Sequence, residues 1–133
     1  MLRLSKKVEY GLIAIRHIAS QSSNSITTAK EIAEKYAIPA ELLAKVLQRL
    51  AREGLVTSYP GVKGGYALSR KPSEITVSSI ITAIDGPQNI TDCLAESPEV
   101  CAIYNTCTIK NPLEKIQSNI DKAFSSMTLS EIV

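Results

Sequence analysis

A chain of 133 residues, 44% hydrophobic and 21% charged, is long enough for one packed domain and too apolar to be disordered. No apolar run approaches membrane-spanning length, and none follows the basic start "MLRLSKK" as a secretion signal would require, so a cytoplasmic protein with reduced thiols and no membrane partner is expected. The net charge of +2 hides an uneven split: residues 1–80 carry twelve Lys/Arg against six Asp/Glu, and residues 81–133 carry three against seven. The front half therefore suits a polyanion better than the rear half does.

From Ser5 to Ser20 the apolar residues Val8, Leu12, Ile15, Ile18 and Ala19 recur at three- and four-residue steps, which predicts an amphipathic helix. "SQSSNSI" is a polar loop. Thr28 and Glu31 then form a capping box that opens a short helix ending at Tyr36. Ala37-Ile38-Pro39 predicts a tight turn, because Pro39 cannot continue a helix yet suits the start of the next one.

The next helix, Ala40 to Glu53, carries a stripe of Leu42, Leu43, Val46, Leu47 and Leu50. Glu41, Lys45, Gln48 and Arg52 share its other face, with Arg49 at the edge, and Gly54 stops it. Two short helices joined by a tight turn, the second with a basic and amide face, have the form of a helix-turn-helix. Leu55-Val56-Thr57 and Tyr66-Ala67-Leu68 then flank a glycine-rich tip around Lys63, which predicts a hairpin wing. A nucleotide-phosphate loop is disfavoured, since no Gly-Lys-Ser/Thr is present and no helix opens after the tip. The expected DNA-facing set is Thr28, Lys45, Gln48, Arg49 and Arg52, with Lys63, Gly64, Gly65 and Tyr66 in the wing.

Thr76 to Asp85 predicts a fourth helix, stopped by Gly86-Pro87. All three cysteines, Cys93, Cys101 and Cys107, fall in the irregular stretch that follows, separated by seven and then five residues. Asn111-Pro112-Leu113-Glu114 reads as a helix start with Asn111 as the cap. Leu113, Ile116, Ile120, Phe124 and Met127 then form a seam suited to a dimer helix, although an ordinary amphipathic helix on its own domain would show the same spacing. Residues 1–85, 86–110 and 111–133 thus divide into a reading head, a cysteine loop, and a dimerisation helix with its tail. The fold class is mainly α: a winged helix-turn-helix with a small β-hairpin and a long C-terminal helix. An enzyme is not expected, because His17 is the only histidine and lies far in sequence from the thiols.

These residues carry a resemblance. "REGLVTSYPGVKGGYALSR", "ITVSSIITAIDG", the opening Arg3-Leu4-Ser5-Lys6 and the closing "MTLSEIV" are similar in order and spacing to the Rrf-two family of bacterial winged-helix repressors. The resemblance spans nearly the whole chain. It implies a homodimeric transcriptional regulator, probing a near-palindromic double-stranded operator, with long C-terminal helices crossing at the dimer interface. In cluster-binding members, which sense iron, nitric oxide or redox state, three cysteines of this loop ligate an iron–sulfur cluster; Cys93, Cys101 and Cys107 fall at those places. Thiolates in an irregular loop suit such a cluster. The competing readings are a structural zinc site, reactive thiols or a protein partner without any cluster, and small buried apolar cysteines.

The fourth ligand is left open by the same resemblance. A histidine three residues after the third cysteine, used by one branch, is replaced here by Lys110. Another branch uses a carboxylate from the partner subunit, with which Glu9 aligns; Glu9 also reads as a solvated helix acid near Lys6. Loss of the histidine favours a four-iron over a two-iron cluster.

Overall fold

The computed structural model describes residues 3–22, 25–90 and 106–133. Helix α1 (Lys6–Ser20) starts at Ser5, whose side chain accepts the Val8 amide, and buries Val8, Gly11, Ala14, Ile15, His17 and Ile18. Helix α2 (Ala29–Tyr36) starts at Thr28, whose Oγ1 accepts the Glu31 amide at 3.1 Å. That satisfies one of the orphan donors of the first turn.

The turn to α3 (Ala40–Arg52) is made by Ala37 in the left-handed region, φ 55°, with the Ile38 amide bonded to the Ala33 carbonyl at 3.0 Å. Pro39 is the N-cap of α3 and accepts the Leu43 amide. Leu43, Val46, Leu47 and Leu50 are buried, while Leu42 is only half-buried.

Strands β1 (Val56–Tyr59) and β2 (Gly65–Leu68) pair antiparallel, with Val56 opposite Leu68 and Tyr59 opposite Gly65. The first strand therefore starts one residue later and runs two residues further than the apolar run Leu55-Val56-Thr57 predicts. Leu55 is spent as a core plug, 2% exposed, between α3 and the hairpin. A further bridge ties Tyr66 to Thr27, with Tyr66 N–H to Thr27 O at 2.7 Å and Thr27 N–H to Tyr66 O at 2.9 Å. The wing is thus attached to the polar loop before α2.

Helix α4 (Val77–Asp85) starts at Thr76 and buries Val77, Ile80, Ile81 and Ile84. It closes at Gly86, φ 78°. The last helix, α5, runs Lys110–Ser126. Its cap lies two residues before the expected Asn111: Ile109 is the N-cap and accepts the Leu113 amide at 2.9 Å. Pro112 then occupies the third helical position, where its missing N–H would have had no helical partner anyway.

α5 packs on α4, and Phe124 reaches the core of the head. Met127, expected at the end of the seam, lies beyond the helix as its extended C-cap, 43% exposed. The chain then returns to the head. Val77 N–H donates to Met127 O at 2.9 Å, Leu129 N–H to Ile75 O at 2.8 Å, and Arg16 Nε to Ile132 O at 2.7 Å, while Leu129 is fully buried. No described helix is long and apolar enough to cross a membrane.

Candidate nucleic-acid interface and cysteine segment

α3 presents Glu41, Lys45, Gln48, Arg49 and Arg52 to solvent. Glu41 sits in the first turn, and Arg49 and Arg52 in the last, so the charges oppose the helix dipole at both ends. Lys45, Gln48 and Arg52 project outward as the 3.6-residue period requires. Arg49 does something else: its Nη1 donates to the backbone carbonyl of Ile84 at 2.8 Å.

In the wing, Lys63 and Val62 are exposed at the tip, Val62 completely. The glycines beside them serve the fold's own backbone. A Cβ on Gly64 would stand 1.9 Å from Tyr59 O, and one on Gly65, φ 157°, would stand 2.6 Å from Thr27 O. Neither neighbour is a side chain that can swing away. Tyr66 is half-buried against the core, held by the bridge to Thr27. Of the expected wing set, Lys63 is the residue with an exposed cationic side chain, while Gly64, Gly65 and Tyr66 shape the hairpin.

Glu9 pairs with Lys6, Oε2 to Nζ at 3.0 Å, on the exposed first turn of α1. The carboxylate beside it holds the Lys6 ammonium above its ordinary pKa of 10.5, chiefly through their hydrogen bond. His17, far from any thiol in sequence, is buried with its Nδ1 2.8 Å from the Tyr36 hydroxyl and its ring edge-on to that tyrosine. It joins α1 to α2.

Cys93 and Cys101 lie outside the described residues. Cys107 is a free, half-buried thiol just ahead of α5. Among the described residues no group of three His, Cys, Asp or Glu could hold a metal. The donor chemistry of the chain nevertheless suits a thiolate-held cluster, since three cysteines fall within fifteen residues and Cys107 is unpaired and partly accessible.

One residue that periodicity did not single out anchors the start of this segment. Gln117, buried on an otherwise exposed stretch of α5, donates to Gln88 O at 2.7 Å, accepts the Ile90 amide at 2.8 Å, and donates to Asp121 Oδ1 at 2.9 Å. A Gln–Asp pair four residues apart was a faint hint, but such pairs also stabilise isolated helices.

The family model described as "Iron-dependent Transcriptional regulator", Rrf2, matches residues 4–133. The chain belongs to the Rrf2 family. It is 30% identical over 132 residues to the HTH-type transcriptional regulator IscR of Yersinia pseudotuberculosis, covering 99% of this chain and 79% of that protein. The structure of T. potens IscR is similar at a TM-score of 0.76 and 27% identity, covering 98% of this chain and 85% of that one. CymR, the global cysteine regulator of B. subtilis, is similar at a TM-score of 0.76 and 27% identity, covering 99% and 96%. This Rrf2 chain is therefore a DNA-binding, winged-helix transcriptional regulator of the IscR/CymR type, and not an enzyme.

Proposed function

We propose that this Rrf2 chain is a homodimeric repressor whose DNA binding responds to an iron–sulfur cluster held by Cys93, Cys101 and Cys107. The observation that carries the reading is Cys107: a free, half-buried thiol at the foot of α5, the helix whose Gln117 also clips residues 88–90. A ligand gathered by the three cysteines would sit between two stretches already fixed to the reading head. Such a cluster supplies redox and ligand-exchange chemistry; the chain supplies the thiolates and the frame.

On DNA, two copies of α3 related by a two-fold axis would enter successive major grooves of a near-palindromic site, with half-sites about 34 Å apart or a multiple of that. Lys45, Gln48 and Arg52 face the groove in this reading, and Lys63 meets a phosphate at the wing. Thr28 caps α2, its hydroxyl oxygen accepting the Glu31 amide, and belongs to the same proposed DNA-facing set. Glu9 is proposed as the partner subunit's contribution to the fourth iron, released from Lys6 on binding, with a four-iron cluster favoured.

Anaerobic purification tests the reading. A brown protein with visible absorption, carrying iron and sulfide, and lost in each of Cys93→Ala, Cys101→Ala and Cys107→Ala, is the expected result. The likeness to CymR favours a second reading, a regulator that works through zinc, reactive thiols or a protein partner. Colourless protein without iron and sulfide would favour that second reading instead: zinc lost on the three substitutions would mark a structural zinc site, and metal-free protein a regulator working through thiols or a partner.

A further inference from the structure

We propose that Arg49 is a positioning residue for DNA reading, acting through the last turn of α4 and not through the DNA. The last carbonyls of a helix have no helical partner, and α4 stops sharply at Gly86 with Pro87, which has no N–H, next in the chain. The Arg49 guanidinium fills that vacancy at Ile84 O, at the negative end of the α4 dipole.

The same turn gathers the rest of the head. The Ile84 side chain is fully buried against Gly11 of α1 and near Val46 of α3, and Asp85 accepts a hydrogen bond from Ser5, the cap of α1. Three helices therefore meet at Ile84 and Asp85: α3 contributes Val46 to the apolar side of the corner and, from the edge of its exposed face, the Arg49 hydrogen bond. Positions 45, 48 and 52 lie on the adjoining stripe of the same helix. Fastening Arg49 sideways to α4 sets the roll of α3 and with it the direction of Lys45, Gln48 and Arg52.

The proposal rests on α3 being the groove-facing helix, and the experiment separates the two ideas. The probes are a duplex selected by the wild-type protein from a random-sequence library and an unrelated duplex of equal length. Arg49→Met keeps the aliphatic stem and removes the donors and the charge; Arg49→Lys keeps the charge without the planar fork. Backbone hydrogen exchange is followed in the DNA-free proteins at residues 82–88.

For Arg49→Met, affinity for the selected duplex should fall, by up to about tenfold if the energy of the lost charge-assisted bond must be spent in re-orienting α3 on binding. The salt dependence should keep its slope, affinity for the unrelated duplex should hold, and exchange at the end of α4 should quicken. Across both variants, affinity for the selected duplex should track protection at the end of α4. A salt slope reduced by about one, with both duplexes weakened alike, would make Arg49 a phosphate contact and overturn the proposal. Affinity lost without faster exchange, or faster exchange without lost affinity, would overturn it too. Lys45→Ala is the control for α3 itself. If it changes neither slope nor affinity, α3 does not face DNA; if it does and Arg49→Met behaves as a phosphate contact, only the Arg49 assignment falls.

Discussion

Gly11 of α1 and Ile84 of α4 occupy adjoining space that leaves no room for a side chain on the glycine. A Cβ there would lie 2.2 Å from Ile84 Cδ1 and 3.2 Å from Val46 Cγ1. Ile84 is fully buried and has nowhere free to move its methyl. Gly11→Ala gains up to about 1 kcal/mol in helix propensity but overpacks the core at about 1–3 kcal/mol, so the protein should lose stability. Thermal melting should fall by several degrees. Ile84→Val removes the clashing methyl, so Gly11→Ala should cost less in that background; strict additivity in the double-mutant cycle would refute the contact.

The His17 imidazole is held below its ordinary value of 6.5, first by burial and then by the Lys35 ammonium, with Glu31 opposing. The unfolded chain therefore takes up this proton at higher pH than the folded one. The contribution is fully present above about pH 6.5 and is lost as pH falls from there towards the folded value. Melting temperature should drop over that window, and His17→Gln should flatten this part of the profile. An unchanged profile in the variant would assign the acid sensitivity to other groups.

Lys63 stands at the exposed wing tip beside fully exposed Val62. Lys63→Ala should weaken binding to selected and unrelated duplexes alike and reduce the salt slope by about one unit. Sequence preference lost at an unchanged slope would show that Lys63 reads bases.

On α5 the expected seam divides in two. Ile120 and Phe124 line an apolar cavity of about 330 Å³ with Leu4, Ile90 and Ala123, whereas Ile116 is 49% exposed. Ile120→Glu would disturb its own chain as well as any partner. Ile116→Glu is the cleaner test of the dimer: an unpartnered charge in a two-fold apolar contact costs several kcal/mol. Sedimentation should show monomers that keep the wild-type helical content by circular dichroism, melting somewhat lower for want of a partner; dimers would place the interface on another face.

The helices and the wing were legible because each announces itself locally. Thr28 and Thr76 cap where hydroxyls are expected, and the 43-46-47-50 stripe is buried as its spacing requires. What escaped was set by three-dimensional neighbours that periodicity does not reveal, most of them distant in sequence. Nothing near Arg49 points to Ile84, thirty-five residues on. Gly64 and Gly65 read as a close approach to DNA, and only the position of Tyr59 and Thr27 shows that their own chain needs the space. Gln117 looked like one more polar residue of α5 until Gln88 and Ile90 came to lie beside it. Of the candidate metal site, the residue types were legible and Cys107 is placed; Cys93 and Cys101 fall beyond the described residues.

The pairing of Leu129 with Ile75 bears on how the protein is born. Ile75 is fully buried, yet the residue whose amide it accepts and whose side chain seals that corner is made about fifty residues later. A nascent chain that has emitted the entire reading head still lacks a piece of its core. The core of the head is therefore completed only after α5 has been synthesised, so the segment with α3 and the wing and the segment with the exposed Ile116 face mature together. A ribosome stalled inside α5 would release a head with an open, apolar corner, a substrate for chaperones or proteases and not a partial regulator.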